Sequence, residues 1–511
     1  MRYRLLTLFT LLLASTAHAE LKMSSIFGDS MVLQRDKPIH VWGWTTAGQD
    51  VSVEIAGHSA SATANDSGRF DVFIDALPTG GPHEMKIAAD ESKSFQDVLI
   101  GEVWICSGQS NMGMSVGGSN DADLEALAAN YPNIRLISVP QVGTQEPQTD
   151  FKGSWAACSP QTVKDFSAAG YFFGRQLHQT LDIPIGLIDN AWGGSSAEAW
   201  VQRKVLEDDG KYDELLEKWD HTAANYDHDA AMDSWKQRHA EWAKTKKGNP
   251  PRAPRNVLTG NHRPANIYNG VLKPTIGYTI RGVVWYQGES NAGRAYQYRD
   301  LFPLMIQSWR DEWKQGDFPF YWVQLADYRN EVDSPGESDW AELREAQTMT
   351  MSRLPNTGEA VILNLGEAND IHPKNKQGVG TRLARWALAK DYGYPIVHQS
   401  PTYRGSEDAM QVTGDRVRLK FDHVGSGLDT FDVNDAIGFS IAGADKKFVF
   451  AKAKIVDKET IEVWAEGVES PVAVRYAWAD NPVCNVQSRD GLALTPFRTD
   501  DWTGKNRGVV K

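Results

Sequence analysis

Cysteine is scarce in this chain: Cys106, Cys158 and Cys484 are the only three in 511 residues. The number is odd and the chain is long enough to bury a large core, so its stability does not call for a disulfide framework. Cys106 reads as a small core residue. Paired C-x-x-C spacings and an H-E-x-x-H helix are both missing, so neither a metal site nor any other cofactor is expected. Positive charge is also in deficit, with 53 Lys and Arg against 66 Asp and Glu and a formal net charge of −13. That balance argues against nucleic acid or an anionic membrane as partner. Long apolar runs are absent after the first twenty residues, and nothing later reads as a membrane span.

The opening residues have the three parts of an export signal. Arg2 and Arg4 supply a positive start, Leu5 to Leu13 an apolar run, and Ala17-His18-Ala19 a small-x-small cleavage site. The expectation is a signal peptide over residues 1–19, a mature chain from Glu20, and a secreted or periplasmic location. Cleavage would remove two Arg and no acid, taking the net charge from −13 to −15. Tryptophan is plentiful at 18 residues. Its flat faces suit sugar rings, although it is also ordinary core material.

Length allows two or three domains. Residues 20–97 alternate in the β manner, with Ile39 to Trp44, Val51 to Ile55 and Phe70 to Ile74 separated by Gly, Asp and Pro turns. Within this region Gly28-Asp29-Ser30-Met31 resembles a G-D-S-L nucleophile box. Strands follow it instead of an amphipathic helix, so it reads as a β-turn. Residues 98–395 change to short strands alternating with helical stretches, the texture of an α/β layer fold. Residues 203–263 interrupt that layer with a charged, largely polar helical stretch and a Pro-rich loop. Ala360 to Leu365 reads as its last strand and Gln377 to Lys390 as a closing helix. Residues 396–511 return to β texture.

The chemistry centres on Gly101 to Gly113, G-E-V-W-I-C-S-G-Q-S-N-M-G. Val103 to Cys106 reads as a buried strand, and Gly108 makes a turn that lifts Ser110 off its C-terminal end. Three further strand ends carry polar or Gly-rich loops, at Gly193-Gly194, at Gln287-Gly288-Glu289 and at Asp370-Ile371-His372. In an open α/β sheet such loops converge on one crevice. Convergence makes Ser110 the nucleophile, His372 the base and Asp370 the group that orients the imidazole. The backbone N–H groups of Ser110 and Gly194, with the Gln287 amide, would hold an oxyanion. Gln109, Asn111, Gly193, Glu289, Asn291 and Arg294 are expected to line the substrate.

Taken together, C-S-G-Q-S-N-M, N-x-W-G-G-S-x-x-E-A-W, W-Y-Q-G-E-S-N and N-D-I-H-P-x-N-K resemble the sialate O-acetylesterase family of carbohydrate esterases, within the SGNH/GDSL-like hydrolases. The resemblance extends to F-G-D-x-M-V-L-Q-R-D-K-P near the start and Y-A-W-A-D-N-P at residues 476–482. It implies a three-layer α/β/α domain with flanking β-sandwich elements. It also implies a metal-free Ser110–Asp370–His372 triad and removal of O-acetyl groups from sugars such as sialic acid or hemicellulose-type glycans. Two positions depart from the wider superfamily. Its acid lies three residues before the His, where Asn369 stands, so Asp370 is the choice and Glu367 the reserve. Its third-block oxyanion donor is an Asn, so Asn291 competes with Gln287. Two other readings stand beside this one: a non-catalytic carbohydrate-binding protein on the same fold, and a general short-chain carboxylesterase.

Overall fold

The computed structural model describes residues 20–509. The apolar opening segment and the expected cleavage after Ala19 lie outside the described residues. The chain begins with β1 (Lys22–Met23), β2 (Val32–Gln34), β3 (Ile39–Trp44), β4 (Asp50–Ile55), β5 (His58–Thr63), β6 (Arg69–Ile74), β7 (Gly80–Ala88) and β8 (Ser92–Gly108). It continues through α1 (Ser110–Gly113), α2 (Ala122–Ala128), β9 (Tyr131–Ser138), β10 (Ala156–Cys158), α3 (Ala168–Leu181) and β11 (Ile185–Asp189). Three largely exposed helices follow, α4 (Arg203–Asp209), α5 (Asp213–Asn225) and α6 (His228–Thr245), the last with no buried residue. The central part then runs β12 (Gly282–Tyr286), α7 (Ala295–Trp313), β13 (Phe320–Val323), α8 (Asp339–Thr350), β14 (Thr357–Ala360) and α9 (Lys376–Lys390). Short strands between Thr402 and Arg498 complete the chain.

β8 organises the molecule. Its first half pairs antiparallel with β7, and Leu99 to Gly101 pair parallel with β2. Its second half lies between β11 and β12, parallel to both. The sheet order is β10-β9-β11-β8-β12-β13-β14, parallel throughout except for β10 at one edge. The expected domain break at 97/98 therefore falls inside one continuous 17-residue strand. Asp97, at φ +58, makes an irregularity there: the pairing with β7 shifts register between Phe95 and Val98 and then continues.

Side chains alternate across the sheet with period two. Val103, Ile105, Val283, Trp285, Phe320 and Trp322 enter one core, packed with Leu301, Phe302, Met305 and Trp309 of α7. Trp104, Cys106, Val284, Tyr286, Tyr321 and Val323 enter another, packed with Phe173 and Leu177 of α3 and Leu383 and Ala387 of α9. Both faces are apolar because both are covered, as parallel strands require. Much of the tryptophan is accounted for here. Trp200, Trp285 and Trp309 meet at ring centroid distances of 5.4 to 6.0 Å and are fully buried. Their abundance in the sequence is core packing more than sugar binding. Cys106 and Cys158 are buried, and all three cysteines are free.

The last strand differs from its sequence reading. β14 spans only Thr357–Ala360, because Val361 and Leu363 turn away into the core of the C-terminal β region. That departure frees residues 361–375 to cross the strand ends. The Y-A-W-A-D-N-P stretch has a packing reason. The fully buried Arg344 of α8 donates to the carbonyls of Ala479 and Asp480 at 2.7 and 2.9 Å and to Ala326 at 2.7 Å. Among the described residues no helix is long and apolar enough to cross a membrane.

Candidate active site

Gly108 ends β8 at φ +132, and a Cβ there would fall 2.2 Å from the carbonyl oxygen of Tyr286. Only glycine combines that dihedral with that approach. The chain then closes into α1: the Met112 and Gly113 N–H groups donate to the Gln109 carbonyl at 3.0 and 2.9 Å, and Ser110 stands at the start of the turn. Beyond β11, the Trp192 N–H donates to the Gly108 carbonyl at 2.9 Å, drawing the glycine loop across the turn that bears Ser110. A Cβ on Gly193 would meet the Ser110 Cβ at 3.4 Å. The loop is held from two sides, by the Asn261 amide on the Gly193 carbonyl at 2.5 Å and the Ser290 hydroxyl on the Gly194 carbonyl at 3.0 Å. The backbone N–H groups of Ser110 and Gly194 donate to no acceptor among the described residues.

The loop beyond β14 brings His372 to the same place, and its Nε2 lies 2.8 Å from the Ser110 Oγ. With the ring proton on Nδ1, Nε2 accepts from the hydroxyl. Asp370 Oδ1 accepts the His372 backbone N–H at 2.9 Å and lies 3.5 Å from Nδ1. That backbone bond, helped by Lys374, holds the Asp370 carboxyl below its ordinary range. Glu367 is engaged elsewhere, accepting the Lys374 backbone N–H at 2.8 Å and its ammonium at 2.9 Å. Asn369 is exposed. A serine hydroxyl bonded to an imidazole, beside unengaged N–H groups, is equipped for acyl transfer.

A family model for carbohydrate esterases, the sialic acid-specific acetylesterases, matches residues 100–246 and 263–389. Mouse (Mus musculus) sialate O-acetylesterase is 30% identical over 73% of this chain and 74% of its own. The human (Homo sapiens) enzyme of that name is 29% identical over 96% of this chain and 95% of its own. The crystal structure of a carbohydrate acetylesterase from Xanthomonas citri matches with a TM-score of 0.80 at 34% identity, covering 94% of this chain and all of that one. The chain belongs to the sialic acid-specific acetylesterase family of carbohydrate esterases. It is a carboxylic ester hydrolase, and its substrates are esters of carbohydrate.

Not every residue expected to face the substrate of this esterase does so. The Gln287 amide, expected to hold the oxyanion, is fully buried. Its N–H groups donate to the Ser195 carbonyl at 3.0 Å and to Asn291 Oδ1 at 2.7 Å, while its oxygen accepts from Tyr298 at 2.9 Å. Asn291 is likewise closed in: Oδ1 also accepts the Ala197 N–H at 2.9 Å, and Nδ2 donates to Glu198 at 3.0 Å. Arg294 pairs with the buried Glu198 at 2.6 Å and is 7% exposed. The physical reason is common to all three. A buried amide or charge must find partners inside the protein, and these find one another across the loops after β11 and β12. Their bonds run between the glycine loop and the loop after β12. Gln109 is buried too, its Oε1 facing the Gly288 N–H at 3.4 Å. Of the aromatic residues on the site loops, Trp200, Trp285 and Tyr286 are buried and Trp192 is partly exposed. His262, next to Asn261, is exposed at the rim.

Asn111 and Glu289 lie behind Ser110. The Asn111 amide donates to Glu289 Oε1 at 2.6 Å and to the Ile371 carbonyl, next to His372, at 2.9 Å. Its oxygen accepts from the fully buried ammonium of Lys376 at 2.6 Å, and that ammonium lies 5.0 Å from the Tyr286 ring. Burial pushes Glu289 up and pulls Lys376 down to about 7. One amide thus ties the turn bearing Ser110 to the loop bearing His372. Lys376, Asn261 and Tyr298 escaped the sequence reading of the site, whereas Glu198 is the acid of N-x-W-G-G-S-x-x-E-A-W. Of those three, Lys376 left a signal, as the final residue of N-D-I-H-P-x-N-K.

Ser30 is far from this chemistry. It sits at φ +63 before β2 and donates its hydroxyl to Asp97 at 2.9 Å. Among the described residues no group of three His, Cys, Asp or Glu side chains is gathered as a metal site would need.

Proposed function

We propose that the chain is an exported serine acetylesterase that removes O-acetyl groups from glycans through Ser110, His372 and Asp370. The observation that carries the reading is the 2.8 Å contact between Ser110 Oγ and His372 Nε2, beside the close-packed glycine loop at Gly193 and Gly194. Ser110 Oγ attacks the acetyl carbonyl carbon while its proton passes to His372 Nε2. The N–H groups of Ser110 and Gly194 receive the charge that develops on the carbonyl oxygen. Collapse breaks the bond to the sugar oxygen, which leaves with the proton from Nε2, and the acetyl group stays on Ser110. Water, deprotonated by His372, then releases acetate. Asp370 keeps the imidazole oriented and favours its charged form.

Two cores on opposite faces of the parallel sheet support reading its middle as the three-layer α/β/α arrangement of the SGNH hydrolases. The segment Met1 to Ala19 supports export. Two relatives, from mouse and human, are named for sialate, and the structural relative for carbohydrate in general. With Arg294 closed off by Glu198, a sialate carboxylate would have to meet His262 or Arg263 at the rim. Neutral glycans need no such cation. Acetate release from a panel of acetylated sialic acids, xylan and xyloglucan tests the proposal, with p-nitrophenyl esters alongside. Fast turnover of acetate, a steep fall by butyrate and none at octanoate is expected. Preference for long acyl chains with no acetate from any glycan would refute it.

A further inference from the structure

A cleft of about 920 Å³ lies on another part of the molecule, between the β3–β6 sheet face and the C-terminal end of α7. Pairing and pleat make its wall. His40 stands opposite Phe73 across β3 and β6, and Trp42 opposite Asp71. Side chains two apart share a face, so His40, Trp42, Phe73, Asp71 and Arg69 form one surface. Val41, Val72 and Ile74 point the other way into the core. Phe73 is 61% exposed, unusual for a phenylalanine on a strand, and its ring lies flat against His40, with centroids 4.4 Å apart and planes 7° from parallel.

That platform is rigid. His40 Nε2 lies 2.8 Å from Asp71, and Nδ1 lies 3.1 Å from the Gly277 carbonyl oxygen. Asp71 also accepts from Arg69 at 2.8 Å. The facing wall carries Gln148, Thr149 and an ion pair between Lys273 and Glu312 at 2.8 Å. Lys37 at the cleft's edge donates to the Ile280 carbonyl at 2.8 Å. Asp71 and Glu312 offset Arg69 and Lys273, and Lys37 and Lys314 add two further cations to the lining. The cleft therefore offers an exposed aromatic face ringed by charged and neutral hydrogen-bonding groups.

The cleft is not part of the esterase site. Ile276, Gly277 and Thr279, which line it, precede β12, whereas Gln287 follows it. Five extended residues of β12 separate the two, on the order of 15–20 Å. Ser110 stands at the sheet's C-terminal edge and the cleft at its N-terminal edge. A single acetylated sugar cannot span both.

We propose that this cleft is a second, non-catalytic glycan site, which takes a neutral polysaccharide chain by stacking a sugar ring on Phe73. The proposal rests on the glycan-esterase reading for the identity of the polymer. A flat ring face with fixed polar neighbours matches the apolar face and rim hydroxyls of a pyranose. The size is that of a small-ligand pocket. Holding one stretch of a polymer raises the local concentration of its acetyl groups at Ser110.

Affinity gel electrophoresis of the full chain carrying Ser110→Ala, in gels containing deacetylated xylan or xyloglucan, reads the cleft with no ester to turn over. Retardation by at least one of them is expected. Phe73→Ala, at an exposed position, should weaken that retardation about fivefold, the worth of a lost aromatic contact, and Phe73→Trp should restore it. In the active enzyme Phe73→Ala should raise KM on the acetylated polymer by a similar factor and leave p-nitrophenyl acetate turnover unchanged. No retardation by either neutral polymer, retardation by acidic polysaccharides alone, or retardation indifferent to Phe73→Ala would each overturn the proposal. Failure of the esterase reading would appear separately, as no acetate from any glycan.

Discussion

Replacing Lys376 by Met tests whether the buried tie between the two catalytic loops matters. Methionine keeps most of the side-chain length and removes the ammonium. Asn111 Oδ1 then loses its donor at 2.6 Å in a place where the lysine it replaces is wholly enclosed. An unsatisfied buried acceptor costs about 1–3 kcal/mol, and Glu289, whose neighbouring cation disappears, adds to that side. The effect on rate runs through position. Asn111 holds the Ile371 carbonyl at 2.9 Å, one residue from His372. A shift of about 1 Å in a base costs about 10²-fold. The expected outcome is a fall in kcat of about 10- to 100-fold with KM nearly unchanged, and a lower urea midpoint. Linkage supplies a second readout. Burial lowers Lys376 to about 7 in the folded chain, below its unfolded value of 10.5. Between those values the unfolded chain binds more protons, so this group makes stability rise with pH from about 7 towards 10.5. Lys376→Met lacks that rise. Urea unfolding of both proteins across this range, with steady-state p-nitrophenyl acetate kinetics, decides the matter. Wild-type kcat together with parallel stability profiles would refute the reasoning.

Ser110→Ala should lower kcat by several orders of magnitude in the same assay, while Ser30→Ala, which loses only a bond to Asp97, should stay within a few-fold; the reverse would relocate the active site. Gln287→Ala should cost about 1–3 kcal/mol in urea unfolding, because Ser195, Asn291 and Tyr298 all lose a buried partner. An unchanged midpoint with a lone loss of kcat would return Gln287 to the oxyanion. Asp370→Asn should lower kcat less than Ser110→Ala does, since the carboxylate is about 42% exposed and 3.5 Å from Nδ1; equal losses would show a tighter coupling in the working enzyme.

Local pattern was enough to place much of this protein. Alternating apolar runs marked β3, β4 and β6, and a continuous one the part of β8 that leads to Ser110, because burial on one face or two leaves a period that composition cannot hide. The turn at Gly108 and the loops at Gly193 and His372 were legible for the same kind of reason: a strand ending in glycine or polar residues has few other uses. Tertiary structure decided the rest. At 97/98, pairing with β2 and β7 on one side and with β11 and β12 on the other carries a single strand through both regions. Local sequence carries no record of its partners. Whether Gln287, Asn291 and Arg294 face a sugar or one another depends on Glu198, Ser195 and Tyr298, which lie up to a hundred residues away. Burial is set by what packs above a loop, and a polar residue looks the same in sequence whether it meets water, a ligand or another amide. Lys376 shows the limit best. It is one lysine among many in an acidic chain, and only the closure of the His372 loop over Asn111 makes it a buried cation behind Ser110.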